Sequence, residues 1–294
     1  MLQFSQEPTS IVDGVPVFEN EDKNLDPHTV KAFGEEWERF DVFSDEEIST
    51  AGKEYFDLLP DHELRQFEHA LDMGCGSGRW TRYIAPHVKH VVAMDPSEAC
   101  FVAKKNTADL VNVRVVKASV ENIPFPDESF DLAICLGVLH HIPDTQKALS
   151  ELCKKIKPGG TLLLYLYYDL SNRNGLFRGL HRLSELPRML IHRFPRGIKD
   201  LSCDLLALFV YLPFIGLSKL CAFISENLAQ KMPLSYYRNK TWNIIRNDAR
   251  DRFGTPLEQR FSKSQIEEML REANMTPPIF SAKAPFWHCV AQKA

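Results

Sequence analysis

Short apolar runs alternate with helical stretches through the middle of the chain. Candidate helices at 78–86, 97–108 and 144–156 separate five such runs between residues 61 and 168. The runs are Ala70–Met73, Val91–Met94, Val113–Val116, Leu132–Leu136 and Leu162–Tyr165. Strands that alternate with helices in this way indicate βαβ units, whose strands lie in one parallel sheet. The pattern therefore predicts an α/β fold.

A long segment of mostly helical pattern, 171–261, interrupts this alternation. Connections within compact domains usually have about 2–6 residues, so this segment is an inserted element. After it, Ser264–Glu267 has the spacing of a capping box that opens a helix. Two final apolar runs, 278–282 and 286–291, predict closing strands. Together these features predict a seven-stranded, mostly parallel sheet flanked by helices, with a helical insertion after the fifth strand.

The residues before the first strand fall into two parts. Residues 1–30 are polar and predict an extended arm with little packing of its own, whereas the apolar spacing from 28 to 60 is helical. We therefore expect three segments. They are an N-terminal arm and helical lid (1–60), an α/β core in two pieces (61–170 and 262–294) and the helical insertion as a substrate cap (171–261).

Composition and charge exclude several classes of protein. The chain has 294 residues, of which 44% are hydrophobic and 25% charged, so disulfide scaffolds, fibres and disordered chains are excluded. A net charge of −4 gives no reason to expect nucleic-acid binding. The seven cysteines contain no Cys-x-x-Cys pair, which indicates a reducing compartment and no metal site. The first residues lack the pattern of a signal peptide, so we expect a cytoplasmic protein.

A glycine-rich turn follows the first core strand and opens a helix. Gly74, Gly76 and Gly78 give the spacing Gly-x-Gly-x-Gly, and Arg79 stands where a dinucleotide fingerprint has its third glycine. Asp95 ends the next strand, 21 residues after Gly74, where an acid can accept hydrogen bonds from a ribose diol. Because both features lie at neighbouring strand ends, we predict a site there for a nucleotide-like ligand without a pyrophosphate.

Four segments of the core resemble S-adenosylmethionine-dependent methyltransferases of the seven-strand, Rossmann-like class (class I), of the bacterial small-molecule type. The segments are Leu71–Gly78, Met94–Ser97, Phe130–His141 and Leu152–Gly160. They cover about a third of the chain. The resemblance implies S-adenosylmethionine as cofactor and S-adenosylhomocysteine as product. The implied reaction is methyl transfer, by in-line displacement, to an O, N or C nucleophile of a small or lipid-like molecule.

The resemblance also implies roles for individual residues. The glycine turn, with Asp72 and Cys75, would hold the methionine part of the cofactor, and Asp95 would bind its ribose hydroxyls. Leu136 would line the methyl-transfer pocket. Ser119 stands where many relatives have aspartate, and its hydroxyl is a weaker acceptor for the adenine amino group. The residues expected beside the adenosine are Pro96, Ser97, Ser119 and Val120.

Two adjacent histidines follow the fourth strand of the core. Histidine titrates near neutral pH, so His140 or His141 could take a proton from the acceptor. His140 is slightly favoured because it is nearer Leu136 in the sequence. The alternative is that both rings only hydrogen-bond the backbone.

The predicted N-terminal helix resembles a lid found before the core in some bacterial members of the class. Phe33, Trp37 and Phe40 share one face of this helix. Either this face packs on the core, or Trp37 and Arg39 close over the cofactor, with Arg39 contacting its carboxylate. Lids of the second kind exclude water from the reaction.

The insertion contains a twenty-residue apolar stretch, Leu205–Ile224. Pro213 and Gly216 predict two short helices with a bend between them. A single membrane crossing is not expected, because it would separate the last helix and strands from the core. The stretch either buries its apolar side in the cap or a dimer, rests on an anionic membrane, or forms a tunnel for a lipid-like acceptor. The basic residues just before it are Arg178, Arg182, Arg188, Arg193, Arg196 and Lys199.

Two other functions stay open at this point. A chain with this fold could bind S-adenosylmethionine, S-adenosylhomocysteine or a partner without turnover, because a fold does not fix a function. A nicotinamide-dependent oxidoreductase is disfavoured by Arg79 in the glycine turn. The sequence does not indicate an oligomeric state.

Overall fold

The computed structural model describes residues 2–19, 23–173 and 175–294, apart from the side chain of residue 176. The chain divides into two compact units. The sheet unit comprises the residues up to Asp169 together with Leu257–Ala294, and the helical unit comprises Leu170–Pro256. That the insertion acts as a substrate cap stays a prediction.

A single sheet runs through the sheet unit. Its strands are β1 (Ser10–Val12), β2 (Val15–Val17), β3 (His69–Met73), β4 (His90–Asp95), β5 (Val113–Lys117), β6 (Phe130–Leu136), β7 (Ile156–Tyr165), β8 (Ile279–Phe280) and β9 (His288–Gln292). In the described residues the order is β1-β2-β5-β4-β3-β6-β7-β9-β8. Strands β3 to β7 are parallel, whereas β9 is antiparallel to both β7 and β8. The expected α/β fold with a mostly parallel sheet is confirmed, and all seven predicted runs contain a strand.

Helices lie before, between and after the strands in the sequence. They are α1 (Pro27–Arg39), α2 (Asp45–Tyr55), α3 (Asp61–Leu64), α4 (Arg79–Ile84), α5 (Ala99–Asn106), α6 (Thr145–Lys154), α7 (Gly175–Ile191), α8 (Arg196–Leu206), α9 (Leu212–Ile224), α10 (Glu226–Lys231), α11 (Trp242–Gly254) and α12 (Lys263–Glu272). Helices α7 to α11 belong to the helical unit, and the others belong to the sheet unit.

The two faces of the sheet carry separate hydrophobic cores. In β6, Ala133 and Cys135 belong to one core, and Leu132 and Ile134 belong to the other. This alternation arises because successive side chains of a strand point to opposite faces. Helices α6 and α12 pack into the first core, and α2 and α4 pack into the second. Burial on both faces explains why these strands form continuous apolar runs in the sequence.

The N-terminal arm is more closely packed than the sequence pattern predicts. Strands β1 and β2 form a hairpin whose turn contains Gly14 at a φ of +74°. Val17 of β2 pairs in parallel with Lys117 of β5, and both Val15 and Val17 are buried. The prediction of little packing was therefore wrong. The missed signal is Asp13-Gly14 before the alternating Val15-Pro16-Val17, which is a typical hairpin pattern.

Helix α12 begins two residues earlier than its predicted capping box. Ser262 is the N-cap: its Oγ accepts from the Gln265 amide at 3.2 Å, and Gln265 Oε1 accepts from the Ser262 amide at 2.9 Å. The predicted box at Ser264–Glu267 was wrong, because Phe261 is held in a bridge to Tyr168 and the helix starts directly after it.

The apolar stretch of the helical unit is part of one long helix. Helix α8, a π-helical turn at Ala207–Tyr211 and α9 run continuously over Arg196–Ile224. Within the described residues this is the helix with the length and apolar composition needed to cross a membrane. The predicted bend was wrong, because Leu212 donates to the Ala207 carbonyl five residues back. This wide turn places Pro213, which has no N–H, in the first turn of α9.

Candidate functional site

A cleft lies at the carboxyl ends of the central strands of the sheet unit. Its volume is about 930 Å³, including its mouth. The chain goes from β3 to β4 and β5 on one side and then returns to β6 on the other side of β3, so a crevice opens between these strand ends. The cleft is lined by Met73–Ser77, Arg79, Trp80, Asp95–Ser97, Ser119, Val120, Leu136–Val138, His141 and Ile142, and on the N-terminal side by Asn24–Asp26, Thr29, Val30, Phe33 and Trp37.

The glycine turn leaves no room for side chains at two positions. Gly74 has a φ of +75°, and a Cβ there would lie 2.3 Å from Cγ2 of Val138. Gly76 has a φ of +53°, and its Cβ would lie 2.9 Å from Cε2 of Trp37. The third predicted glycine, Gly78, does not line the cleft and is instead the N-cap of α4. The backbone at Gly74 and Gly76 is therefore the part of the turn that a ligand can approach.

Asp95 connects the glycine turn to the end of β4. Its Oδ2 accepts from the Gly76 amide at 3.0 Å. Its Oδ1 accepts from the amide and the hydroxyl of Ser97, at 2.8 and 2.6 Å. Burial raises the pKa of this carboxyl, and the hydrogen bonds from Ser97 and Gly76 oppose the rise. Because a carboxylate oxygen can accept two hydrogen bonds, Oδ2 can accept one more from a ligand in the cleft.

Asp72 lies beneath the glycine turn and not on the cleft wall. Its carboxyl is buried and accepts from Oγ1 of Thr81 at 2.5 Å. Burial raises the pKa of Asp72 to about 7. The structure therefore shows Asp72 joining β3 to α4, and does not bring it to the place expected for a contact with the amino group of a cofactor.

The two histidines have different environments. His140 is fully buried, stacks on Tyr167 at 3.8 Å and does not line the cleft. Burial lowers the pKa of His140 well below its usual value, so this ring is neutral. His141 lines the cleft, and its ring contacts Phe33 at 4.7 Å. The slight preference for His140 from the sequence is therefore replaced by a preference for His141.

The hydrogen bond of His141 sets its tautomer. Its Nδ1 lies 2.6 Å from the carbonyl oxygen of Leu257. A carbonyl can only accept, so Nδ1 carries the proton of the neutral ring, and Nε2 carries the lone pair. This arrangement is suited to a general base, because Nε2 is the nitrogen that can take a proton.

The cleft wall includes Arg79 and not Arg39, the arginine expected from the sequence. Arg39 does not line the cleft, and its guanidinium lies 5.4 Å from the ring centre of Phe40. Arg79 does line it, and is the one Lys or Arg among the described residues of the cleft wall. Its guanidinium lies over the rings of Trp80 and Phe43, at 4.3 and 5.0 Å. The geometry thus favours Arg79 over Arg39 as the partner of an anionic group.

The segment before α1 also contributes to the cleft, which the sequence pattern did not indicate. Asn24 Nδ2 donates to the Asp144 carbonyl at 2.9 Å, and the Asp144 amide donates to Asn24 Oδ1 at 2.6 Å. Asp26 is the N-cap of α1 and accepts from the Thr29 amide at 3.2 Å. The available signal was the N-cap pattern Asp26-Pro27, which marks where this helix begins.

The remaining predicted contacts all lie on the cleft wall. They are Trp37, Cys75, Pro96, Ser97, Ser119, Val120 and Leu136. These residues come from the ends of β3, β4 and β6, from the segment after β5, and from α1.

Comparison with known proteins agrees with this arrangement. A family model described as "Methyltransferase domain" matches residues 71–164, the segment that runs from β3 to β7 and includes the glycine turn and Asp95. Residues 71–164 are similar to a methyltransferase domain, which agrees with the class and the S-adenosylmethionine cofactor that the sequence resemblance implied for this segment.

Individual relatives resemble the methyltransferase domain over part of their length. An uncharacterized methyltransferase, YcgJ of Bacillus subtilis, is 28% identical over 131 residues, which are 44% of this chain and 52% of that protein. A ubiquinone biosynthesis O-methyltransferase of Coxiella burnetii is 32% identical over 109 residues, 36% of this chain and 45% of that protein. The crystal structure of YcgJ covers 40% of this chain at 30% identity, with a TM-score of 0.35, and 52% of its own chain. The chain spans about half the length of these relatives.

Proposed function

We propose that this protein transfers the methyl group of S-adenosylmethionine to an O, N or C nucleophile of a small or lipid-like molecule in the cytoplasm. The observation that carries the proposal is Asp95, which joins Gly76 to Ser97 on the wall of the cleft. When bound, the cofactor supplies a methyl group activated by a sulfonium. That the helical unit covers the acceptor pocket stays a prediction.

The groups on the cleft wall fit the parts of this cofactor. Asp95 offers an acceptor for a ribose hydroxyl, and Gly74 and Gly76 present backbone without side chains on the cleft wall. Arg79 supplies a positive charge for a carboxylate. Apolar walls, including Val120 and Leu136, can exclude water from the reaction.

The chain's own contribution to catalysis is mainly positioning. Holding an acceptor in line with an activated methyl group can lower the barrier by up to about 7–11 kcal/mol. His141 lines the cleft, and we propose that it removes a proton from an acceptor through Nε2, a buried atom, because its Nδ1–H donates to the Leu257 carbonyl. General base catalysis contributes typically about 10²–10⁴-fold.

A screen for turnover tests the proposal. The full chain is incubated with methyl-labelled S-adenosylmethionine and a set of phenols, amines, carbon acids and isoprenoid or acyl lipids. We expect label transfer to at least one class of acceptor. Cofactor binding with no transfer to any class would instead support the binding protein without turnover.

The two histidines give a second test. With the acceptor found in the screen, we expect His141→Gln to lower kcat by about 10²–10³-fold with little change in KM for S-adenosylmethionine, because only the base is lost. His140→Asn is the matched control: it disturbs a buried stacked ring, so it should lower Tm more than kcat per folded molecule. An undiminished kcat in His141→Gln would remove this residue from the mechanism.

The two arginines give a third test. Arg79→Met keeps an apolar side chain against Trp80 and Phe43 and removes the charge. We expect it to bind S-adenosylhomocysteine about 10–100-fold more weakly, since a hydrogen bond to a charged group is worth about 1.5–3 kcal/mol. The wild type and Arg79→Met should bind 5′-methylthioadenosine, which lacks the carboxylate, with the same affinity in calorimetry. Arg39→Met is the control, and a larger loss there would restore the role first expected for Arg39.

A further inference from the structure

The helical unit turns the acidic residues of α8 inward. Asp200 accepts from Nε of Arg250 at 2.8 Å, and the Arg250 side chain is only 1% exposed. One turn later, Asp204 accepts from Nε and Nη2 of Arg246, both at 2.9 Å. Both arginines belong to α11. In a helix on the surface of a soluble protein the charged side normally faces water and the apolar side faces the core. Helix α8 instead directs its acidic side chains to the interior of the helical unit.

Helix α7 also directs an acidic side chain towards α11. Its Glu185 accepts from Nε of Arg188 at 2.7 Å and also pairs with Arg252 of α11. Burial raises the pKa of Glu185, but the hydrogen bonds from Arg252 and Arg188 outweigh it and lower the value to about 2. The carboxyl groups of Glu185, Asp200 and Asp204 are therefore all paired with arginines inside the unit.

The apolar side chains of these helices lie on the outside. In α8, Ile198, Leu201 and Leu205 follow the spacing of one helix face and are 44–60% exposed. At the end of α9, Phe223 is 89% and Ile224 is 80% exposed. We call the exposed apolar side chains between residues 180 and 224 the outer face. Exposed apolar side chains that lie together mark sites that contact a membrane or another protein.

The charges beside the outer face have one sign. Among the side chains that the structure describes between residues 175 and 224, every exposed charged one is basic. They are Arg178, Arg182, Arg193, Arg196 and Lys219. The chain as a whole carries a net charge of −4, so this local excess of positive charge is not a general property of its surface. An apolar face bordered by basic residues is the combination that anionic lipid surfaces bind.

The sheet unit argues against a helix that crosses the bilayer. Strand β7 precedes the long helix and pairs with β9, which follows it, through Thr161–Tyr165 and His288–Gln292. A single crossing would place these paired strands on opposite sides of a membrane. A return crossing would need residues 225–256, where α11 carries charged arginines.

We propose that the outer face binds anionic membranes as an interfacial surface, with its apolar side chains among the headgroups and its basic residues against the lipid phosphates. A second copy of the chain is disfavoured as the occupant, because a symmetric dimer through this face would bring like charges together. The inference is independent of methyl transfer. Where both hold, the methyltransferase works at the surface in which lipid-like acceptors dissolve.

Flotation of the full chain with vesicles tests the inference. We expect the protein to float with vesicles of phosphatidylcholine and phosphatidylglycerol at low salt. We expect about tenfold less bound protein on pure phosphatidylcholine, and weaker binding at high salt because ions screen the charges. No flotation with the anionic vesicles at low salt overturns the proposal.

Paired variants show whether the outer face is responsible. Phe223→Asp with Ile224→Asp should reduce bound protein about tenfold. Ile11→Asp with Val111→Asp is the matched control, because these side chains are 68% and 92% exposed but belong to the sheet unit. It adds the same two negative charges, and the amount of bound protein should stay close to that of the wild type. Equal losses in both pairs contradict the proposal.

A second pair of variants tests the basic residues beside the outer face. Both variants in this pair change the net charge of the chain by the same amount. Arg178→Glu with Arg182→Glu should lower flotation about tenfold, whereas Lys104→Glu with Lys105→Glu, on exposed positions of α5, should lower it much less. Far-UV circular dichroism and Tm, compared with those of the wild type, confirm that each variant is folded. Two further results overturn the proposal: resistance to alkaline carbonate extraction, which indicates a spanning helix, and a dimer that Phe223→Asp with Ile224→Asp dissociates.

Discussion

Asp95→Ala should bind S-adenosylhomocysteine at least about 100-fold more weakly than the wild type. The change removes the acceptor offered to the ribose, and it releases the Gly76 and Ser97 amides that this carboxylate holds in place. The one hydrogen bond that Oδ2 can accept from the ribose is worth about 1.5–3 kcal/mol, or about 10–100-fold, and the release of the Gly76 and Ser97 amides adds to this loss. Isothermal calorimetry on the folded variant measures the effect.

Asp131→Ala is the control for Asp95→Ala. Asp131 lies at the start of β6, at the amino ends of the strands and away from the cleft. Like Asp95, it accepts from two backbone amides, those of Glu68 and His69, at 3.2 and 2.9 Å. Its loss should lower stability and leave ligand binding intact. If Asp131→Ala weakens binding as much as Asp95→Ala does, the effect is on stability and not on the site.

Gly74→Ala should abolish measurable binding of S-adenosylhomocysteine and lower the free energy of unfolding by about 2–5 kcal/mol. The added Cβ would lie 2.3 Å from Val138 Cγ2, which costs about 1–3 kcal/mol in a packed site. The left-handed backbone adds roughly 1–2 kcal/mol. Denaturant unfolding and calorimetry measure the two effects.

Two further variants separate the clash at Gly74 from the backbone strain. Gly14 has almost the same φ, +74°, and no atom within 4 Å of an added Cβ, so Gly14→Ala should carry only the backbone cost and bind normally. Adding Val138→Ala to Gly74→Ala should recover part of the stability because it removes the clashing methyl groups. A Gly74→Ala protein that binds like the wild type would show that the turn does not contact the ligand.

The strands of the sheet could be predicted from the sequence because they are buried on both faces. Such strands form continuous apolar runs, as in Leu132–Leu136, whereas a short edge strand such as Val15–Val17 gives only three residues of pattern. The long helix was missed for a different reason. Pro213 normally bends or ends a helix, but the π-helical turn before it accommodates the missing N–H.

The part of the site that is formed by residues at the strand ends could also be predicted from the sequence. The glycine turn and Asp95 lie at neighbouring strand ends, so their positions follow once the strands are placed. The contacts of His141 and Asn24 were not accessible. His141 is oriented by Leu257, and Asn24 is held by Asp144, residues more than 100 positions away in the chain. Local periodicity carries no information about such pairs, and only the folded chain brings them together.

Calorimetric titration of the wild-type protein with S-adenosylhomocysteine and, separately, with NAD⁺ identifies the ligand of the cleft. We expect saturable binding of S-adenosylhomocysteine at one site per chain and no binding of NAD⁺, because Arg79 occupies the position of the third glycine in a dinucleotide fingerprint. Binding of NAD⁺ in preference to S-adenosylhomocysteine, or of neither compound, would show that the cleft is not a site for S-adenosylmethionine.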